Sequence, residues 1–182
     1  MGNTEILPRG SIQLTSAGTG ITHSEVAHGS PPAHVLQIWA DPHTRGLTPS
    51  YYTRHFPDSA KQNKWARIIA PDSAEGIDKR REAEGPAPIH SPYTMYGSLL
   101  DKGVKLPLEM KGRKGYVHIV MMSGHNVGPA QGATVRFSSG KKVVTLREGD
   151  GAYLDIPPNA SVLVVENVGD RKAELLVFDI TE

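Results

Sequence analysis

The chain has 182 residues, with 20 lysine and arginine residues balanced by 19 aspartate and glutamate residues, and it has no cysteine. The length allows one large domain or two small ones, while the balanced charge excludes a dedicated electrostatic footprint for nucleic acid or a membrane surface. Because the chain has no cysteine, no signal-like apolar segment at its start and no apolar run long enough to cross a bilayer, we expect a soluble protein of the cytoplasm.

Short apolar runs, separated by 19 glycines and 14 prolines, predict many short strands and a mostly antiparallel, all-β fold of the sandwich or barrel type. The runs 162–165 and 173–179 are almost wholly apolar, which predicts strands that are buried on both faces. The predicted strands cover residues 11–15, 21–25, 35–40, 93–100, 115–121, 133–137, 142–146, 151–156, 161–167 and 173–178.

One stretch has a helical pattern. Asp58 or Ser59 can cap a short helix that runs into a strand near residues 67–70. The following residues, 71–92, are rich in proline and charge and have little to bury, so they predict a long connection between two lobes. We therefore divide the chain into an N-terminal lobe at 1–70 with few strands, a linker at 71–92 and a C-terminal lobe at 93–182.

The segment most suggestive of chemistry is GSIQLTSAGTGITHSE, residues 10–25, in which a glycine-containing turn leads into a predicted strand. On a strand, His23 and Glu25 leave the same face about 7 Å apart along the chain. An imidazole and a carboxylate on one face can take two positions on a divalent metal, with the other ligands supplied by other strands. The alternative is a hydrogen-bonded pair at the surface or in the core.

Three blocks in chain order resemble the pirin family of two-lobed cupins: TSAGTGITHSE at 15–25, HVLQIWADP at 34–42, and the segment from Gly46 to Tyr52. The resemblance implies a cupin or jelly-roll bicupin, with residues 89–182 in the second lobe. It also implies one Fe(II)-type metal in the first lobe, held by three histidines and one glutamate. By motif, His23 matches the third histidine and Glu25 the glutamate.

In the family, the other two histidines belong to a His-x-His motif that would lie upstream of this chain's first residue. The resemblance therefore implies a first lobe that is incomplete at its N-terminus, with half of the ligand set for Fe(II) or another divalent metal.

Two functions follow from the resemblance. One is a quercetin 2,3-dioxygenase-like oxidoreductase that acts on a small aromatic flavonol, with Glu25 as ligand and candidate base and with activity impaired by the missing ligands. The other is a non-enzymatic binding protein whose metal modulates a protein partner, as in family members that act as nuclear transcription cofactors. Neither implies direct binding to nucleic acid or to a membrane.

The remaining histidines have weaker patterns. His28 and His34 follow His23 closely, so either is an alternative ligand, whereas the loop settings predict ordinary surface histidines at positions 43, 55 and 90. His118 and His125, at the end of a predicted strand, are expected to be structural rather than metal-binding. Trp39 is predicted to lie in the core, with a place in the cavity wall as the functional alternative.

Overall fold

A computed structural model describes residues 2–122, 132–157 and 162–181. It has one short helix, α1 (Asp58–Lys61). The strands are β1 (Ser11–Ser16), β2 (Ser50–His55), β3 (Ala66–Pro71), β4 (Ala87–Ile89), β5 (Tyr93–Leu100), β6 (Lys105–Glu109), β7 (Lys114–Val120), β8 (Thr134–Ser139), β9 (Lys142–Arg147), β10 (Gly151–Asp155), β11 (Val162–Asn167) and β12 (Ala173–Ile180). In the described ranges, no helix is long and apolar enough to span a membrane.

The strands form three sheets. A six-stranded sheet has the order β10-β7-β12-β5-β3-β4, a four-stranded sheet has the order β6-β11-β8-β9, and β1 pairs with β2 in a small separate sheet. The named strands pair antiparallel except for β3 and β4, which run parallel with Pro71 opposite Ile89. The predicted all-β, mostly antiparallel class is confirmed.

The core has two parts that meet at β12. Leu175 and Val177 belong to the larger cluster, which fills the space between the six-stranded and four-stranded sheets. Leu176 and Phe178 point to the opposite face and pack against a second cluster, which contains Leu14 of the small sheet. Since side chains alternate between the faces of a strand, β12 is buried on both, as its apolar run predicts.

The run 162–165 behaves differently from that prediction. Val162 and Val164 of β11 are 45% and 40% exposed, whereas Leu163 and Val165 lie in the core. This strand therefore has one buried face, because the four-stranded sheet is covered by core on one side only. In the sequence, an apolar residue on the exposed face of a strand cannot be distinguished from a buried one.

The predicted strands at 21–25 and 35–40 are absent, since both segments have irregular backbone without strand pairing. Valine, isoleucine and tryptophan favour strands, but a strand also needs a neighbouring backbone to pair with, and here these residues are solvent-exposed. The sequence pattern also missed three strands, namely β2, β4 and β6.

The proposed lobes share a sheet. β3, from before the predicted linker, pairs with β5, from after it, and β4 lies within residues 71–92. The predicted connection at 71–92 therefore contains regular structure, namely the strand β4. The division at 1–70, 71–92 and 93–182 stays a prediction.

Candidate functional site

The glycine-containing turn after β1 is present as predicted. The amide of Gly20 donates to the carbonyl of Ala17 at 2.8 Å, and the amide of Thr19 donates to the carbonyl of Leu47 at 3.0 Å. Gly18 has φ +54°, and a Cβ there would lie 2.0 Å from the Leu47 carbonyl oxygen. Only glycine fits at this position, so the turn holds the start of segment 21–25 beside the residues that precede β2.

His23 and Glu25 lie close together, although not on a strand. Nε2 of His23 is 3.9 Å from Oε1 of Glu25, and the two side chains are 48% and 53% exposed. The expectation that both side chains leave one face of a strand is therefore wrong, because the segment has no strand geometry, and both groups are open to water. Their role as metal ligands stays a prediction.

The carboxylate of Glu25 is connected to β1 and β2 through polar side chains. Nε2 of Gln13 donates to Oε1 of Glu25 at 3.3 Å. The Tyr51 hydroxyl lies 3.4 Å from Oε1 of Gln13 and 3.2 Å from Oε2 of Glu5, so it can donate to either. Burial raises the pKa of Tyr51, and the nearby charge of Glu25 raises it further, so the phenol stays protonated as a donor.

Arg81 completes this polar row. Its guanidinium is paired with Glu5 and lies over the Tyr51 ring, 5.6 Å from the centroid. Tyr51 lies in the segment from Gly46 to Tyr52 that resembles the pirin family, whereas no sequence pattern indicates a role for Gln13. The pairing of β1 with β2 brings Gln13 and Tyr51 together, and no local sequence pattern in either strand predicts this pairing.

Three residues that the sequence did not connect form a second polar group. His43, Asp72 and His90 place their potential ligand atoms within 4.8 Å of one another. His43 is exposed, as its loop setting predicts, and the His90 side chain is 24% exposed beside Asp72. Across the described ranges, this is the one group of at least three such side chains close enough to share a metal.

The other histidines have separate surroundings. Nδ1 of His55 is 3.2 Å from the Ser11 hydroxyl. His118 lies half-buried on β7, where burial lowers its pKa and the nearby His34 lowers it further. His28 is exposed, and His125 lies outside the described residues.

Trp39 is 88% exposed, so its predicted place in the core is wrong. Its segment forms no sheet that could carry the ring against a core. The alternative, a place in a cavity wall, is also not seen.

Several known proteins are similar to this chain in sequence. The family model for pirin matches residues 1–40, which include His23 and Glu25. A quercetin 2,3-dioxygenase of Escherichia coli K12 is 44% identical over 77 residues, which are 42% of this chain and 32% of that protein. A pirin-like protein of Caulobacter vibrioides is 24% identical over 160 residues, covering 85% of this chain and 66% of the relative.

A solved structure shares the fold across nearly the whole chain. The bacterial pirin YhhW of Escherichia coli, in complex with nickel(II), aligns with a TM-score of 0.65 at 22% identity and covers 99% of this chain and 65% of that one. This likeness confirms the predicted cupin or jelly-roll class. The chain spans less than two thirds of the length of these relatives. Over residues 1–40 in sequence, and over nearly the whole chain in fold, this chain is therefore similar to pirins.

Proposed function

We propose that the chain is a metal-binding cupin in which His23 and Glu25 are ligands to a divalent metal, and that it acts on a small flavonol in the manner of a quercetin 2,3-dioxygenase. One observation carries the proposal: Nε2 of His23 lies 3.9 Å from Oε1 of Glu25, within the segment that matches the pirin model. The E. coli relative that bears the dioxygenase name and the nickel(II) complex of YhhW support it. Fe(II) is the metal that the family resemblance implies.

The donor set fits such a metal in type but supplies two ligands. An imidazole and a carboxylate are usual ligands for iron, nickel and zinc. Over residues 2–122, 132–157 and 162–181, no third histidine, aspartate or glutamate joins His23 and Glu25 at ligand distance. Catalytic sites usually have three protein ligands, so we expect weak metal binding and low activity for this chain.

The surrounding residues position the pair. The side-chain amide of Gln13 donates a hydrogen bond to Oε1 of Glu25. The Tyr51 hydroxyl, whose pKa is raised, can donate a hydrogen bond to the side-chain oxygen of Gln13. A bound metal would supply Lewis-acid chemistry toward a phenolic oxygen. The other carboxylate oxygen of Glu25 is then the group of this chain that could accept a proton from the substrate.

The test is aerobic incubation of quercetin with metal-loaded protein, followed by its visible absorbance. We expect a slow loss above that of a blank with the same metal, removed by His23→Ala and by Glu25→Gln. His55→Ala is the matched control, because that imidazole contacts Ser11 instead. Equal rates for the wild type and His23→Ala would contradict the proposal.

A second candidate is a non-enzymatic binding protein whose metal modulates a protein partner. The exposure of His23 and Glu25, 48% and 53%, favours it, because oxygenase chemistry requires a site from which water is excluded. Metal binding that depends on His23 without any quercetin loss would select this candidate. The relatives described above are bacterial, so the proposed protein partner is not a nuclear one.

A further inference from the structure

His43, Asp72 and His90 converge from three separate chain segments. Nδ1 of His90 lies 3.5 Å from Oδ2 of Asp72, and the two imidazole rings have centroids 6.1 Å apart at an interplanar angle of 67°. We propose that these three side chains form a binding site for a divalent transition-metal ion, independent of His23 and Glu25. We refer to them as the His43–Asp72–His90 cluster.

The parallel pairing of β3 with β4 places two of the three ligands. Pro71 and Ile89, the last residues of these strands, are register partners, so Asp72 and His90 leave the same end of the sheet side by side. The amide of Asp72 also donates to the carbonyl of Ile89 at 2.9 Å. The spacing between these two ligands is therefore set by the backbone of the sheet.

The loop that carries His43 is attached to the same place. The amide of His43 donates to the carbonyl of His90 at 2.8 Å, and the Ser91 hydroxyl donates to the carbonyl of Asp41 at 2.6 Å. All three ligand-bearing segments are thus joined by hydrogen bonds that do not use the ligand atoms. A site positioned in this way loses little conformational entropy when it binds an ion.

The chemistry of the three groups indicates which ions fit. Two imidazoles and one carboxylate suit zinc, nickel, cobalt and copper, and sites with three protein ligands leave a position for water. Ligand atoms about 2.0–2.2 Å from a tetrahedral ion lie roughly 3.3–3.6 Å apart. The Asp72–His90 distance of 3.5 Å already meets this spacing.

His43 is the ligand with room to move. The ligand atoms of the three residues lie within 4.8 Å of one another. Because His43 is exposed, rotation of its side chain can bring its ring nitrogen closer to the ligand atoms of Asp72 and His90.

Lys79 competes for the same carboxylate. Its ammonium lies 3.0 Å from Oδ2 of Asp72, on a side chain that is 58% exposed. The Asp72 carboxylate is ionised near neutral pH, like an ordinary aspartate, so it can bind a cation. An incoming metal must displace this ammonium, which is free to swing into water.

The experiment uses the full chain without any affinity tag, in a His23→Ala/Glu25→Ala background that removes the other candidate pair. Co²⁺ is titrated by its visible absorption and Zn²⁺ by calorimetry. We expect one equivalent to bind in this background, at least tenfold more weakly after His43→Ala or His90→Ala. His55→Ala should leave the Kd unchanged, and Lys79→Gln should tighten binding severalfold because it removes the competing cation.

Folding is checked in each variant by circular dichroism and by the thermal midpoint. His43 is exposed and its anchoring bond uses the backbone amide, so His43→Ala should stay folded. Zn²⁺ should raise the thermal midpoint of the background protein and not that of its His43→Ala derivative. Unchanged Kd values after both histidine substitutions, or no binding in the background protein, would overturn the proposal. Loss of binding at His23–Glu25 leaves these readouts untouched, so the two sites are judged separately.

Discussion

The ammonium of Lys61 lies 2.8 Å from Oε1 of Glu174, and both side chains are buried, with 5% and 10% of their surface exposed. Arg9 donates to the other carboxylate oxygen at 2.8 Å. The single carboxylate of Glu174 thus joins the segment before β1, the end of α1 and the long strand β12. An ion pair therefore connects these three parts of the chain.

Removing one partner of this pair should cost more than removing both. Glu174→Leu leaves the buried Lys61 ammonium with Asp58, 4.0 Å away, as its remaining carboxylate, and we expect this to lower the free energy of unfolding by about 3–5 kcal/mol. Lys61→Met combined with Glu174→Leu should lose clearly less, because no charge is stranded. Urea unfolding of the wild type, both single variants and the double variant measures this. Additive losses would show that the pair is not coupled.

His118 should make stability depend on pH. Burial on β7, with a smaller contribution from His34, lowers its pKa in the folded protein, whereas in the unfolded chain it is about 6.5. Below that value the unfolded state binds more protons, so stability is highest above about pH 6.5 and falls as the pH drops through the lower pKa of the folded state.

Replacing His118 by Gln should reduce this dependence. The measurement is urea unfolding at pH 7.5 and at pH 5, and the difference between the two pH values should be smaller in His118→Gln than in the wild type. His28→Gln, at an exposed position, is the control. An equal pH dependence in wild type and His118→Gln would contradict the assignment.

Some of this structure could be predicted from the sequence because a local pattern determines it. The apolar run of β12 demands burial on both faces, and Gly18 marks a turn that other residues cannot form. Segment 35–40 shows the limit, because its apolar residues predict a strand but do not reveal whether a neighbouring backbone pairs with them.

The candidate functional residues also include some that the sequence predicts and some that it does not. His23 and Glu25 are two residues apart in sequence and could be found by motif. The His43–Asp72–His90 cluster depends on the register of a parallel strand pair and on a loop hydrogen bond, neither of which leaves a local signal. Proline and charge in the region 71–92 are typical of loops and concealed β4.

Asp179 should be important for stability because its buried carboxylate accepts hydrogen bonds from the backbone of a turn. Its carboxylate accepts hydrogen bonds from the amides of Lys111 and Gly112, each at 2.8 Å, and the residue is 1% exposed. Asp179→Ala removes both acceptors, at a cost of about 1–3 kcal/mol for each donor left unsatisfied. The thermal midpoint and urea unfolding measure the loss, with Asp170→Ala at an exposed position as control.

The same turn predicts the effect of a change at Gly112. A Cβ there would lie 1.7 Å from the backbone oxygen of Ile180, so Gly112→Ala should also destabilise the protein, by moving the turn away from Asp179. Gly103→Ala is the comparison, because a Cβ at that position meets no atom within 4 Å, although its φ of +77° adds some strain. Because Gly112 has no left-handed φ, a loss no larger than that of Gly103→Ala would show that the close approach to Ile180 costs less than expected.

The exposed apolar residues of segment 26–39 should cause self-association. Trp39 is 88% exposed and Val26 and Val35 are 89% and 68% exposed, on backbone that pairs with no strand. Several exposed apolar side chains in one short segment favour contact with another copy of the chain. Trp39 reports on that contact through its own fluorescence, because the second tryptophan, Trp65, packs against the core and donates to the Pro107 carbonyl at 2.8 Å.

At low concentration we expect iodide to quench Trp39 strongly and Trp65 weakly, so Trp39→Phe should remove most of the quenchable emission and Trp65→Phe should retain it. As the concentration rises, the Trp65→Phe protein should become larger by size-exclusion chromatography while its emission shifts to the blue, because Trp39 leaves water at the contact. Val35→Ser in that background should weaken both changes together, since it removes apolar surface from the same segment. A protein that stays monomeric at every concentration, with Trp39 quenchable throughout, would show that this segment remains solvated on its own.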